Sequence, residues 1–177
     1  KIILFLIFYT LVFSSWLRAE IINKISIEGN VRISAETIKM FADVSKGDDL
    51  SENDLNRMLK KLYNTNFFET VSIKLSDEIL IIKVMENPII QNISYEGIKS
   101  SKILEDLKKS SILKSRSSFN EVLLEKDKKK MKNFFKNLGY YFSKIEISID
   151  ELEDNKINLN YNITLGEKAK IKKISFI

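Results

Sequence analysis

The sequence predicts an α+β fold made of two consecutive units, each strand, helix, helix, strand, strand, with a three-stranded mixed sheet covered by two helices. Three observations predict it. Ile22 to Gly29 repeats without gaps as Ile90 to Gly97, at an offset of 68 residues. After each copy the apolar spacing changes in the same order, from period two to helical i, i+3, i+4 and back to period two. Cap and turn residues stand where the period changes. Each unit then takes roughly 70 to 80 residues, the size of a small single-core domain.

The first unit opens with the strand Ile22 to Ile27, followed by a Gly that permits a turn. Ile38, Phe41 and Ala42 define a helix that Ser34 can cap. Gly47-Asp48-Asp49 breaks it. A second helix starts at Ser51, with Asp54 in the place of the capping-box acid and Leu50 positioned to staple onto Leu55. Its apolar stripe, Leu55, Met58, Leu59, Leu62 and Tyr63, is expected to be buried. After Asn64-Thr65-Asn66 come two strands. Thr70 to Leu75 alternates and reads as an edge, whereas Ile79 to Val84 is apolar at nearly every residue and is expected to be buried on both faces.

The second unit repeats this order with a strand Ile90 to Tyr95, a helix around Ile103, Leu104 and Leu107, and a helix from about Asn120 that runs through Met131, Phe134, Phe135 and Leu138. Phe119 and Leu124 stand at staple spacing, and Gly139 closes the helix. Two alternating strands complete the unit, Ile145 to Ile149 and Ile157 to Leu165. Ile171 to Phe176 returns to the opening pattern, as the start of a third copy. Expected boundaries are 1–19 for a leader, 20–87 and 88–167 for the two units, and 168–177 for the third. Pro88 fixes one backbone angle in the short connection between the units and biases Asn87 toward extended geometry, which points to a restricted hinge.

Residues 1–19 stand apart from this pattern. An uncharged apolar run from Ile2 to Phe13 is followed by Ser14-Ser15-Trp16-Leu17-Arg18-Ala19. This reads as a secretory signal peptide cleaved after Ala19. A membrane anchor is the competing reading; it needs about 20 apolar residues, and Arg18 interrupts the run earlier.

Composition excludes several classes of chemistry. Among 177 residues there is no Cys and no His, so disulfides, thiolate nucleophiles and the commonest metal ligand and general base are missing. Scattered carboxylates form no convincing catalytic pair, and Asp48, Asp49, Glu52 and Asp54 lack calcium-loop spacing. No catalytic residue, metal or cofactor is expected. The chain carries 29 basic and 24 acidic residues. Its densest basic run, Glu125 to Lys132, is read as the solvated face of a helix. Phe67-Phe68 and Tyr140-Tyr141-Phe142, at helix-to-strand junctions, are read as core closure.

Particular residues add a resemblance to this order of elements. They are Ile25-Ser26-Ile27-Glu28-Gly29-Asn30 with Arg32, then Leu62 to Val71, then Val84 to Ile90, and in the second unit Leu138-Gly139-Tyr140-Tyr141 and Leu165-Gly166. From about Ile21 onward the chain resembles the POTRA family, the polypeptide-transport-associated domains found in tandem in BamA-type outer-membrane protein assembly factors. Asn66 departs from the pattern, where the family usually has Gly, and so does Leu165, in the place of a commonly acidic residue.

The resemblance implies a non-enzymatic scaffold in the periplasm, part of an outer-membrane protein and exported by the cleaved signal. Its partners would be unfolded outer-membrane β-barrel proteins and accessory assembly lipoproteins. A C-terminal barrel, not present in this chain, would connect it to the outer membrane, and no nucleic acid would be involved. The POTRA region of a two-partner-secretion or autotransporter-assembly transporter is the alternative. A KH-like RNA-binding module is the reading from another class; it needs a Gly-x-x-Gly loop between its helices, which neither interhelix segment contains.

Edge strands supply the physical basis for client binding, because an extended chain can add to their unpaired N–H and C=O groups. The preferred edge is Ser143, Lys144, Ile145, Glu146, Ile147 and Ser148, and its counterpart in the first unit is Thr70, Val71, Ser72, Ile73 and Lys74. The plainer reading is that both are ordinary edges protected by charge.

Overall fold

The computed structural model of the chain describes residues 20–170. The expected leader and residues 171–177 of the third copy lie outside that range. In chain order the elements are β1 (Glu20–Ile21), β2 (Lys24–Glu28), α1 (Ala35–Ala42), β3 (Asp49–Leu50), α2 (Glu52–Asn64), β4 (Phe68–Ser76) and β5 (Ile79–Glu86). They continue with β6 (Ile89–Glu96), α3 (Ser101–Ser110), α4 (Glu121–Asn137), β7 (Lys144–Leu152) and β8 (Lys156–Thr164). Two compact units result, residues 20–64 with 70–84 and residues 65–69 with 85–170.

Helix starts follow their capping residues. Ser34 Oγ accepts the Thr37 N–H at 3.2 Å, and Asn120 Oδ1 accepts the Leu123 N–H at 3.1 Å. At Ser51 the capping box is reciprocal: the Ser51 N–H donates to Asp54 Oδ2 at 2.9 Å and the Asp54 N–H to Ser51 Oγ at 3.4 Å. Asn66 sits at φ 59°, in the left-handed region that Asn tolerates better than most residues.

Each three-stranded sheet has the last strand of its repeat in the middle, in the orders β2-β5-β4 and β6-β8-β7. β2 runs parallel to β5 and β6 parallel to β8, while β7 is antiparallel to β8. β4 and β5 are neighbours joined by Asp77 and Glu78 alone, a connection only an antiparallel pair can make. Both turn residues have positive φ, as the favoured two-residue hairpin requires.

Central position does not bury β5 on both faces, as its apolar run led us to expect. Leu80, Ile82 and Val84 are buried, but Ile79 and Ile81 are only half-buried and Lys83 is exposed. One face is covered by the helical layer, and the other is screened only laterally by β2 and β4. In the second unit one core joins Ile90, Leu107, Leu113, Phe119, Leu124, Met131 and Phe135 to Ile145, Ile157, Leu159, Tyr161 and Ile163. Full burial of each such side chain contributes about 1.5–3 kcal/mol.

The two repeats share hydrogen bonds as well as residues. The Ile22 N–H donates to the Asp48 C=O and the Gly47 N–H to the Ile22 C=O, at 2.9 and 2.8 Å. In the second repeat the Ile90 N–H donates to the Ser117 C=O and the Arg116 N–H to the Ile90 C=O, at 2.9 and 2.7 Å. The short β1–β3 pair, which the sequence reading did not foresee, thus corresponds to the bridge between Ile89 and Ser118. In both repeats the interhelix segment lies along the entry of the first strand and occupies part of its outer edge.

Gly29 and Gly97 are equivalent in the same way. At φ 81° and 86°, each passes so near the central strand that a Cβ would lie 2.2 Å from the Val84 carbonyl oxygen or 1.8 Å from that of Ile163. No side chain fits at either position. The helices differ in length, 13 residues in α2 and 17 in α4.

Candidate interaction edges

With the entries of β2 and β6 partly covered, the long edges are β4 and β7, nine residues each. They are the two segments singled out in the sequence. Along β7, Ile145 is buried and Ile147 half-buried, while Lys144, Glu146 and Ser148 are exposed; Ser143 precedes the strand. Along β4, Val71 is buried and Ile73 half-buried, and Thr70, Ser72 and Lys74 are exposed.

The two edges differ in whether their outward backbone is free. The Val71 N–H donates to the Tyr63 hydroxyl at 3.1 Å, so a side chain from α2 already occupies a position on the β4 edge. Tyr63 is 41% exposed and does not complete the buried stripe of α2 as its spacing suggested. Its phenol has an apolar body and a polar tip, and reaching the strand serves both. No loop or side chain hydrogen-bonds to the backbone of β7 beyond its ladder with β8, among the described residues.

Two exposed β7 side chains, Ser148 and Asp150, are hydrogen-bonded across the sheet. Asn160 on β8 donates to Asp150 Oδ2 at 2.8 Å and to Ser148 Oγ at 3.4 Å, while its own Oδ1 accepts from Ser94 on β6 at 2.7 Å. This polar ladder crosses all three strands on one face of the sheet. It leaves Lys144 and Glu146 as the charged side chains at the start of the edge.

Behind β7 lies a buried polar cluster that the sequence reading missed. Asp127, in the middle of the basic run read as solvent-facing, is fully buried. Its carboxylate accepts the Ile112 N–H at 2.7 Å, the Leu113 N–H at 3.3 Å, the Tyr161 hydroxyl at 3.4 Å and the Ser111 hydroxyl. A buried carboxylate is tolerated only when its lone pairs are satisfied, and four donors meet that condition. Burial, and next the Asp127 charge, push the Tyr161 phenol well above its ordinary value, so it remains a donor. Tyr95 stacks on Tyr161 with ring centroids 5.1 Å apart. Because Tyr161 is paired directly with Ile147, the cluster holds the strand against which the open edge is built. The signal was present in the spacing: Asp127 falls between Leu124 and Met131 on the apolar stripe.

The aromatic junctions divide. Phe68 is buried and Tyr140 packs against the second core, in keeping with core closure. Tyr141 and Phe142 do not close the core; they are 58% and 82% exposed and stand immediately before the open edge. With Glu167, Lys168, Ala169 and Lys170 they line a surface depression. Asp48 and Asp54 are engaged locally, Asp48 Oδ2 accepting the Ser45 N–H at 2.8 Å.

Residues 86–89 are hydrogen-bonded within the second compact unit. The Asn87 N–H donates to the Phe67 C=O at 2.8 Å and its side-chain amide to the Asn66 C=O at 2.9 Å. Asn155 Nδ2 donates to the Glu86 C=O at 2.9 Å, and the Ile89 N–H to the Asn155 C=O at 3.0 Å.

Comparison with known proteins bears on the repeat and its fold. The family model described as "POTRA: Surface antigen variable number repeat" matches residues 20–87 and 88–166. The outer membrane protein assembly factor BamA of Neorickettsia risticii (strain Illinois) is 25% identical over 170 residues, covering 95% of this chain and 23% of that protein. BamA of Neisseria meningitidis serogroup B is 27% identical over 158 residues, with 88% and 20% covered. This chain therefore spans less than a third of the length of the curated relatives it matches. Among solved structures, the N-terminal domain of Omp85 from the thermophilic cyanobacterium Thermosynechococcus elongatus is similar with a TM-score of 0.53 and 14% identity, over 80% of this chain and 61% of that one. POTRA domains 3–5 of Haemophilus influenzae BamA are similar with a TM-score of 0.50 and 16% identity, over 84% and 67%. At these identities the structural likeness concerns the fold.

Proposed function

This chain belongs to the POTRA family, and from that premise we propose that it is the periplasmic scaffold region of an outer-membrane protein assembly machine, receiving unfolded barrel proteins by strand addition. The observation that carries the mechanism is the open nine-residue edge of β7, free of side-chain plugs. An extended client pairing there gains backbone hydrogen bonds that do not read its sequence, which suits a receptor for many clients. Tyr141 and Phe142, at the head of the edge, offer apolar contact to alternate client side chains. The similarity to BamA proteins supports placement at the outer membrane, and accessory subunits are the second class of partner in this reading. The scaffold reading is non-catalytic.

The test is an NMR titration of residues 20–166 with an unfolded barrel-strand peptide. Shift changes along β7 and at Tyr141 and Phe142 are expected. Changes confined away from both β4 and β7 would sink strand addition.

A further inference from the structure

The second repeat carries positive charge that its fold does not use. Helix α4 has six lysines and three acidic residues, one of which, Asp127, is enclosed in the core. Lys128 lies 3.7 Å from Glu125. The other five lysines, Lys126, Lys129, Lys130, Lys132 and Lys136, are exposed, and among the described residues none is in an ion pair. At 100° per residue they spread over roughly 160° of the helix circumference, opposite the buried stripe. Like charges at this spacing repel and lower helix stability.

The first repeat supplies an internal control. In the corresponding helix α2, Arg57 pairs with Asp54 at 2.5 Å and Lys61 with Asp43 at 2.6 Å. The architecture forms with its helical charge largely compensated, so the surplus on α4 is not required by the fold.

The chemistry of the face narrows the partner. Recognition of individual phosphates or carboxylates favours the bidentate fork of Arg, and binding of single-stranded nucleic acid favours aromatic platforms among the cations. This face has neither. Its cations are all Lys, and the aromatics of α4, Phe134 and Phe135, pack in the core. Val122, 62% exposed, stands on the same face in a shallow depression that Lys126 and Lys129 share with Glu121 and Glu125, so that lysines outnumber carboxylates on the face as a whole while the depression itself is mixed. Lysines on long flexible stems around a small apolar side chain complement a laterally smooth anionic surface.

We propose that the solvent face of α4 docks the second repeat on an anionic phospholipid surface, with the five unpaired lysines meeting headgroup phosphates and Val122 entering the headgroup layer. The proposal rests on reading the chain as a scaffold beside the outer membrane. It adds a second contact on the helical side, distinct from the client edge.

The experiment is co-sedimentation of the full chain with vesicles of phosphatidylglycerol mixed with phosphatidylcholine, against vesicles of phosphatidylcholine alone. The apolar run Ile2 to Phe13 partitions into both, so the readout is the ratio of the two affinities. A ratio well above one is expected, falling toward one at roughly 1 M salt, where the Debye length shrinks to about 3 Å. Each lysine neutralised should lower it about fivefold, so the triple variant Lys126→Gln, Lys129→Gln, Lys130→Gln should lose about 100-fold. Circular dichroism and the urea midpoint of that variant confirm that it is folded. A Lys60→Gln control on α2 should change the ratio little. A ratio near one in the wild type, an undiminished ratio in the triple variant, or preferential binding of an RNA oligonucleotide over vesicles would each overturn the proposal. Peptide titration at β7 separates the two readings: a ratio near one with β7 shifts intact rejects the lipid surface and keeps the scaffold.

Discussion

The Tyr63 hydroxyl accepts the backbone N–H of Val71 at 3.1 Å, and one tyrosine thereby closes a position that an added strand would need on the β4 edge. Tyr63→Phe removes the acceptor and keeps the ring. The loss of one partly exposed hydrogen bond should cost about 1 kcal/mol. The same peptide titration that shifts β7 in the wild type should then shift β4 as well. If β4 resonances stay unmoved in the variant, the hydroxyl is not what closes that edge.

Asp127 is expected to be the most sensitive polar residue of the second unit. Asp127→Ala strands the Leu113 N–H and the Ser111 hydroxyl in the core and removes the acceptor of the part-buried Ile112 N–H. We expect a loss of about 3 kcal/mol or more, read from the urea midpoint, against about 1 kcal/mol for Ser111→Ala. Hydrogen exchange should accelerate along β7 in the Asp127 variant, because Ile147 pairs with Tyr161.

Ala at Gly97 should be worse than at an ordinary turn glycine. Positive φ and a Cβ only 1.8 Å from the Ile163 carbonyl oxygen combine, so the backbone must move. A loss above about 2 kcal/mol is expected, with Gly29→Ala similar in the first unit. Gly47, also at positive φ but with open space around its Cβ position, is the comparison that isolates the clash.

Acid should weaken the start of α2. Hydrogen bonds from the Ser51 hydroxyl and N–H hold the Asp54 carboxyl below its ordinary value. A lowered native pKa means that the contribution is fully present above the unfolded value of about 3.9 and is lost as pH falls through the native value. The difference in urea midpoint between wild type and Asp54→Ala should therefore be constant near neutrality and shrink below about pH 4. A difference that grows on acidification would contradict the capping role.

Element order was legible because two independent signals coincide along the chain. Ser34, Ser51 and Asn120 mark helix starts at the positions where the apolar period changes, and the return of Ile22 to Gly29 at Ile90 doubles the information. Asp127 was misassigned because charge outweighed position in a run of lysines, although its place on the apolar stripe was visible. Tyr63, Tyr141 and Phe142 were beyond local reading for a different reason. Whether an aromatic at a helix end turns inward or lies over a strand edge depends on which strand is the edge, and sheet order is a property of nonlocal pairing.

The helices of 13 and 17 residues show how the two copies have diverged. Four residues are close to one helical turn, so the longer helix presents its inward stripe with a rotation of only about 40°. A repeated unit can thus gain outward surface in whole turns while its inward stripe stays on one side of the helix, even where a buried Met58 in one copy answers to a buried Asp127 in the other. An insertion of two residues in the same helix would swing every following side chain to the opposite face, and the same sequence that now packs Met131 and Phe135 would expose them.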